Sequence, residues 1–454
     1  MIPTVVVAGT SSGAGKTTVA CGLIGALRAR GLRVQGFKVG PDYIDPSYHA
    51  LASSRPGRNL DAFLSGPDLI APLARHGAAG ADVAVVEGVM GLFDGASGRG
   101  ELASTAHVSK LLGAPVLLVV DAAAMARSAA AVVHGYRTFD HDVEITGVVL
   151  NRVGSDHHEQ LLREAVESLG VPVVGALRRD PRVAAPERHL GLVPAGERTA
   201  RTGAALDALA AAVERHVDLD AVLGLAQRTA CPPSPAWSPA PSGERAAGAR
   251  IAIARGPAFS FQYEENLELL EAAGAELLPF DPLGDEELPA DAGALLLAGG
   301  FPEVFGAELA ANERLRADVA AFARAGHPIL AECGGLLYLC SELDEHPMCG
   351  VLPARARMTR QLTLGYREAT ALAATPWLHA GERVRGHEFH YSAVDQPGVF
   401  GPAAWTLAAR GAERREGFVA GAVQASYLHV HWAAYPQLAL RLARAARTHR
   451  PAVA

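Results

Sequence analysis

"VVVAGTSSGAGKTTVACGLIGAL", residues 5–27, runs from an unbroken apolar stretch through a glycine-rich turn into apolar residues at helical spacing. Strand, turn and helix in that order let backbone N–H groups of the turn and of the helix N-terminus cradle phosphates. Lys16 is then placed to reach the terminal phosphate oxygens, and the Thr17 hydroxyl to ligate Mg²⁺. The pattern G-x-x-x-x-G-K-[ST] asks for glycine at position 10, where this chain has Thr10, with Gly9 one residue earlier.

Two further stretches bring acids toward this turn. "GFKVGPDYIDPSYH" ends a strand at Lys38 and then offers Asp42 and Asp45, and "VAVVEGVMGLFDG" ends a strand at Glu87 and then offers Asp94. Ligands of open parallel sheets bind at the carboxyl ends of the strands, so these four acids are expected to converge on a Mg²⁺-nucleotide. Singly, each is also an ordinary turn or helix-cap residue.

Outward from the loop, "TVVVAG", "VQGFKVG", "VAVVEGV", "APVLLVVD", "ITGVVLN" and "VPVVGAL" alternate with helical patterns, which predicts a doubly wound parallel α/β sheet covered on both faces. "QRTACPPSPAWSPAPSGERAAGA", residues 227–249, holds five prolines and little periodicity. It reads as an extended linker over 227–248, separating a domain at 1–226 from a smaller α/β domain at 249–454. The second domain opens with "RIAIAR", continues through "ALLLAGG" and "HPILAEC", and has an arginine- and turn-rich stretch at about 350–400.

Composition narrows the classes. The 454 residues are 49% hydrophobic and 20% charged with a formal net charge of −7, which gives no general affinity for nucleic acid or an anionic membrane. Lysine occurs only at Lys16, Lys38 and Lys110, so each calls for a reason. Cys21, Cys231, Cys333, Cys340 and Cys349 are odd in number and lack paired metal-ligand spacing, which fits a reducing cytoplasm. The apolar run in "MIPTVVVAGTSSGAGK" is too short for a signal peptide or a membrane span.

With "GTSSGAGKTT", "FKVGPDYIDPSYH", "NLDAFL", "VVEGVMGLFDG", "PERHLGLVP", "AFSFQYEENLELLEAAGAEL", "AGGFPE", "AECGGLLYL", "MTRQLTLGYRE", "RGHEFHYS" and "ASYLHVHW", the chain resembles the cobyrinic acid a,c-diamide synthase family. The resemblance implies a dethiobiotin-synthetase-like P-loop domain followed by a flavodoxin-like class I glutamine amidotransferase domain. It also implies amidation of the a and c acetate carboxylates of a corrin polycarboxylate, with ATP, Mg²⁺ and glutamine. Carried onto this sequence, Gly9, Thr10, Ser11, Ser12, Gly13, Ala14, Gly15, Lys16, Thr17 and Thr18 hold ATP with Lys38, and Asn151 reads adenine. Thr17, Asp45 and Glu87 surround Mg²⁺, Asp42 and Asp94 act around the activated carboxylate, and Tyr43 and Ile44 pack on the macrocycle, core packing being the equal alternative for those two.

"HPILAECGGLLYLC", residues 327–340, has the form such amidotransferases give their nucleophile: apolar strand, Cys333, then two glycines admitting a tight turn and a helix. An exposed sulfur at a helix N-terminus, with a lowered thiol pKa, is the expectation. Gly299 and Gly300 with Gly334 supply oxyanion N–H groups, and His429 is the base. Many class I members place a glutamate two residues beyond that histidine. Here the position is His431, so the motif contains no acid to orient His429. Arg355, Arg357, Arg360, Arg367 and Arg385 suit a polycarboxylate. The reading includes no nucleic acid or membrane partner and allows a homodimer. Another tetrapyrrole substrate stays open, as does a regulatory ATPase with an inert second domain, although "GTSSGAGKTT" lacks the extra lysine such ATPases carry early in the loop.

Overall fold

The computed structural model describes residues 2–179, 199–240, 243–394, 401–409 and 411–448, so the motif "PERHLGLVP" at 186–194 lies outside the described residues. The chain divides into two compact units, Met1–Ser238 and Pro239–Ala454.

Unit 1 carries β1 (Thr4–Gly9), β2 (Val34–Val39), β3 (Arg58–Leu60), β4 (Val83–Glu87), β5 (Val116–Asp121), β6 (Ile145–Val153) and β7 (Val173–Arg178). They form one sheet in the order β3-β2-β4-β1-β5-β6-β7, and every pairing is parallel. β1 is buried along its whole length, as a central strand covered on both faces must be. The expected doubly wound sheet is present, with one addition: three-residue β3 is too short to show periodicity in the sequence. Helix α1 (Lys16–Ala29) leaves the glycine turn directly, and α2 (Ile44–Ser53) follows β2. The end of the proline-rich segment lies along this unit: the Trp237 N–H donates to the Pro72 carbonyl at 2.9 Å, and its ring meets His76 edge-on at 5.0 Å.

Unit 2 carries β8 (Ala249–Ala254), β9 (Ala275–Phe280), β10 (Ala294–Leu297), β11 (Ile329–Glu332), β12 (Cys340–Leu343), β13 (His346–Pro347), β14 (Leu352–Ala371), β15 (Arg383–Val394), β16 (Trp405–Ala409), β17 (Ala412–Glu416), β18 (Phe418–Ala420), β19 (Val423–Ser426) and β20 (His429–Val430). One sheet runs β18-β19-β11-β10-β8-β9, and a second runs β13-β12-β14-β15-β20 with β16 and β17 attached. The first is parallel except for edge strand β18, giving the expected α/β core. The turn-rich reading of 350–400 needs correction, because β14 and β15 are long antiparallel strands. The alternation of buried Leu352, Ala354 and Ala356 with exposed Pro353, Arg355 and Arg357 is the period-2 signal that the arginines masked. Among the described residues no helix is long and apolar enough to cross a membrane.

Candidate active sites

In unit 1 the loop between β1 and α1 exposes Ser11, Ser12 and Gly13 and buries Lys16. The Lys16 ammonium donates to the Ser11 carbonyl at 3.0 Å and the Met90 carbonyl at 2.5 Å, so it spans from its own loop to the segment after β4. Burial, with the Lys38 ammonium nearby, brings Lys16 down to about 8. A phosphate dianion beside it would favour the charged form.

Behind the loop sits a buried ionic cluster. The Thr17 hydroxyl donates to Glu87 Oε1 at 2.6 Å. Lys38 Nζ lies 2.6 Å from Asp45 and 2.8 Å from Glu87, and donates to the Gly88 carbonyl at 2.9 Å. His49, which the sequence reading passed over, meets the other Glu87 oxygen at 2.7 Å. Its signal was available: Asp45 and His49 are four apart on α2 and share a face. Burial opposes the charge on Lys38, but Asp45 and Glu87 raise it above the usual lysine range. Burial likewise opposes the charge on Glu87, yet Lys38 and His49 hold it below the usual carboxylate range. At Asp45, burial and the neighbouring Asp42 and Glu87 carboxylates prevail over Lys38 and push the group well up. One ammonium thus faces three acids, and the two carboxyls it touches are shifted in opposite directions.

Asp42 Oδ1 accepts the Ile44 and Asp45 N–H groups at 2.7 and 3.2 Å, a cap on α2. Asn59, of the "NLDAFL" motif, fixes the approach by donating to the Gly40 and Asp42 carbonyls at 2.8 and 2.6 Å. Asp94 accepts the Gly91 N–H at 2.9 Å and remains exposed. Asn151, two residues before the end of β6, donates its amide to the Ala14 carbonyl at 2.9 Å. That bond uses one of the two amide N–H groups. Tyr43 and Ile44 are buried to 9% and 8% exposure, leaving little surface for a macrocycle. The Thr17, Asp45 and Glu87 donors are hard oxygens, the chemistry Mg²⁺ takes. No cluster of three or more His, Cys, Asp or Glu among the described residues encloses a metal.

In unit 2, Gly299, Cys333 and His429 follow the carboxyl ends of neighbouring strands β10, β11 and β19. Cys333 has φ 49° and ψ −101°, a left-handed backbone that side chains rarely adopt, directly before the helix Gly334–Leu339. The elbow needs its glycines: a Cβ on Gly335 would stand 2.3 Å from the Leu297 carbonyl oxygen, and one on Gly334 would stand 2.9 Å from the Gly300 nitrogen. Gly299 presses on the base, since a Cβ there would come within 2.5 Å of His429 Cε1. Cys333, Gly299 and His429, the candidates for nucleophile, oxyanion site and base, thus all lie at the carboxyl ends of adjacent strands.

The exposed, acidified thiol is a correction. Cys333 is 5% exposed. Burial first, then the Glu303 carboxylate, pushes the thiol far above its ordinary value, with only a Gly334 N–H bond acting the other way. The helix that follows has six residues and begins inside the core, so it offers little to offset this.

Around His429 lies a polar cluster that the sequence reading largely missed. His387 pairs with His429 across β15 and β20, and their rings stack at 4.9 Å and 15°. The Tyr263 hydroxyl meets His387 Nε2 at 2.9 Å, and burial, with His429 beside it, holds His387 well below the usual histidine range. Glu332 Oε2 lies 3.5 Å from His429 Nδ1. His431 faces Glu265 at 3.5 Å instead. Of the candidate arginines, Arg367 pairs with buried Glu388 at 2.5 Å, while Arg355, Arg357, Arg360 and Arg385 are exposed.

Residues 5–193 match the CobQ/CobB/MinD/ParA nucleotide binding domain, and residues 250–437 match the CobB/CobQ-like glutamine amidotransferase domain. The chain is 54% identical to the hydrogenobyrinate a,c-diamide synthase of Streptomyces coelicolor over 98% of each chain. It is 51% identical to that of Mycobacterium tuberculosis over 99% of each. It is also 47% identical to the cobyrinate a,c-diamide synthase of Syntrophotalea carbinolica over 96% of each.

Proposed function

Because this chain belongs to the a,c-diamide synthase family, whose members join a nucleotide-binding domain to a glutamine amidotransferase domain, we propose that it amidates the a and c acetates of hydrogenobyrinate, the cobalt-free corrin, using ATP and glutamine. The choice of corrin follows the relatives at 54% and 51% identity, named for hydrogenobyrinate, over the one at 47% named for cobyrinate.

One observation carries the reaction: a single chain holds a phosphate loop backed by Lys16, Thr17 and Glu87, and separately a cysteine on a strained elbow beside Gly299 and His429. In unit 1 a substrate carboxylate oxygen attacks the γ-phosphorus of ATP, and the bond to the ADP oxygen breaks. Lys16 balances charge on the transferring phosphoryl group. Thr17, Asp45 and Glu87 would hold Mg²⁺, which supplies further charge neutralisation at the phosphates. In unit 2 the Cys333 sulfur attacks the glutamine carboxamide carbon while His429 takes the thiol proton and returns it to the leaving ammonia. Water then cleaves the thioester to glutamate, and ammonia displaces phosphate from the acyl phosphate to leave the amide. Asp42 and Asp94 are proposed to act near the acyl group, Asp94 being the more accessible.

The test is to incubate the protein with ATP, glutamine and either hydrogenobyrinic or cobyrinic acid, and to follow replacement of OH by NH₂ by mass spectrometry. Two successive replacements on the cobalt-free acid are expected. Turnover of cobyrinic acid alone would reverse the choice of corrin, and turnover of neither would refute the proposal.

A further inference from the structure

The base His429 has no acid in its own motif, yet its ring must be held in one tautomer to accept a proton from Cys333. We infer that Glu332, the residue immediately before the nucleophile, is the positioning carboxylate for His429. This rests on the Cys333–His429 reading above.

The geometry selects Glu332 by what meets each part of the ring. His387 covers a face: the two imidazoles stack at 4.9 Å and 15°, so His387 packs on the π-surface and does not meet a nitrogen in the ring plane. His387 is itself engaged by the Tyr263 hydroxyl at Nε2. His431, which occupies the position of the usual glutamate, is turned elsewhere. Its Nε2 faces Glu265 at 3.5 Å, its Nδ1 accepts the Ala433 N–H at 3.4 Å, and its ring lies against Tyr263 at 4.6 Å. The Glu332 carboxylate lies 3.5 Å from His429 Nδ1. Glu303 and Glu388 bear on the Cys333 thiol, as Glu332 also does.

Strand geometry explains why Glu332 is so placed. It ends β11 and the chain reverses at Cys333, so acid and nucleophile leave one strand end in different directions. Glu332 is 9% exposed and borders two small internal cavities of about 20 and 10 Å³, the first walled in part by Gln424 and Ser426. The larger has room for about one water molecule, so the carboxylate can be satisfied there while one oxygen serves His429. A carboxylate on Nδ1 fixes the proton on that nitrogen and leaves Nε2 as the acceptor, the logic of a triad's acid. The third member is thus supplied from the nucleophile's own strand.

Glu332→Gln places an amide against Nδ1 and inverts the tautomer. The expected result is a fall of about 100-fold in glutamine-dependent kcat with KM for glutamine within threefold, because positioning acts in the transition state. Ring ¹⁵N spectra of histidine-labelled protein should move the His429 proton from Nδ1 to Nε2. Glu332→Asp, which draws the carboxylate back by one methylene, keeps the test available if the glutamine variant does not fold, and should lose at least about tenfold in kcat. Ammonia-dependent amidation, measured alongside, reports intact carboxylate activation. If Cys333→Ala abolishes glutamine use while both Glu332 variants keep kcat within threefold and the tautomer unchanged, this inference fails and the dyad stands. If Cys333→Ala itself retains glutamine use, the underlying reading fails instead.

Discussion

Lys38→Met tests the buried cluster most directly. The substitution keeps most of the aliphatic length and deletes an ammonium that lies 2.6 Å from Asp45 and 2.8 Å from Glu87, both in the unit 1 core. Removing one partner of a buried ion pair leaves the other charge uncompensated, at a cost of about 3–5 kcal/mol. For a domain of this size that corresponds to a melting shift of about 6–20 °C. The sign with pH follows from Glu87. With Lys38 present its folded pKa lies below its unfolded value of about 4.3, so its stabilising contribution is present above that pH and lost only as pH falls through the depressed folded value. Without Lys38, burial becomes the larger influence and the folded pKa rises above about 4.3, so the ionised group now destabilises the fold at neutral pH. The deficit of the variant is therefore greatest near about pH 8 and shrinks toward about pH 5. Hydrogen exchange of the β4 amides, followed by mass spectrometry, isolates unit 1 in a two-unit chain and should quicken by about two to three orders of magnitude at the higher pH. A deficit under about 1 kcal/mol, or one equal at both pH values, would refute the assignment of Lys38 as the counter-charge.

Three further outcomes are expected. Lys16→Ala should abolish amidation with either glutamine or ammonia, since both need the acyl phosphate; robust ammonia-dependent turnover would remove the phosphate-loop assignment. Cys333→Ala should lose glutamine-dependent amidation and keep the ammonia-dependent reaction at high ammonium and alkaline pH, whereas His431→Ala should leave glutamine use almost unchanged; loss of both activities in folded Cys333→Ala protein would make the cysteine structural. Glu416, which accepts from the Ser426 hydroxyl and the Tyr427 N–H, is raised by burial and by Glu388 to about 7. The stability of unit 2 should therefore be greatest below the unfolded value and fall by about 3 kcal/mol as pH rises through about 7, and Glu416→Gln should flatten that slope in urea titrations.

What could be read in advance was local. The phosphate loop, Lys16, Thr17 and the cysteine elbow each declare themselves within about twenty residues, because strand, turn and helix are contiguous there. Glu87 and Asp45 were legible as acids at strand ends, but not the lysine between them. That pairing depends on β2 and β4 lying side by side, which no spacing in the sequence states. Asp42 illustrates the ambiguity of a single acid beside proline, since one of its oxygens is committed to capping α2. His387 stood in the quoted motif "RGHEFHYS", yet its place depends on β15 pairing with β20, elements forty residues apart in the sequence. Glu332 was in plain view beside Cys333. The sequence reading gave it no role, because a strand's period says which face a side chain takes and nothing of what waits there.

The buried thiol changes how the glutamine half-reaction must begin. A Cys333 pushed far above its ordinary value by burial and by Glu303 is almost wholly protonated at neutral pH, so no standing thiolate awaits substrate. On the proposed mechanism, sulfur attack is then coupled to proton transfer to His429, and the orientation of that ring matters. The strained elbow fits this demand. Holding Cys333 at φ 49° costs about 1–3 kcal/mol, offset by burying Leu336, Leu337, Tyr338 and Leu339 behind it. What the strain provides is a fixed sulfur position, 3.9 Å from the Phe389 carbonyl oxygen. A nucleophile that is neutral at rest is also slow to oxidise, because the thiolate is the reactive form. On the proposed reading, glutamine turnover then depends on the ring position that Glu332 sets.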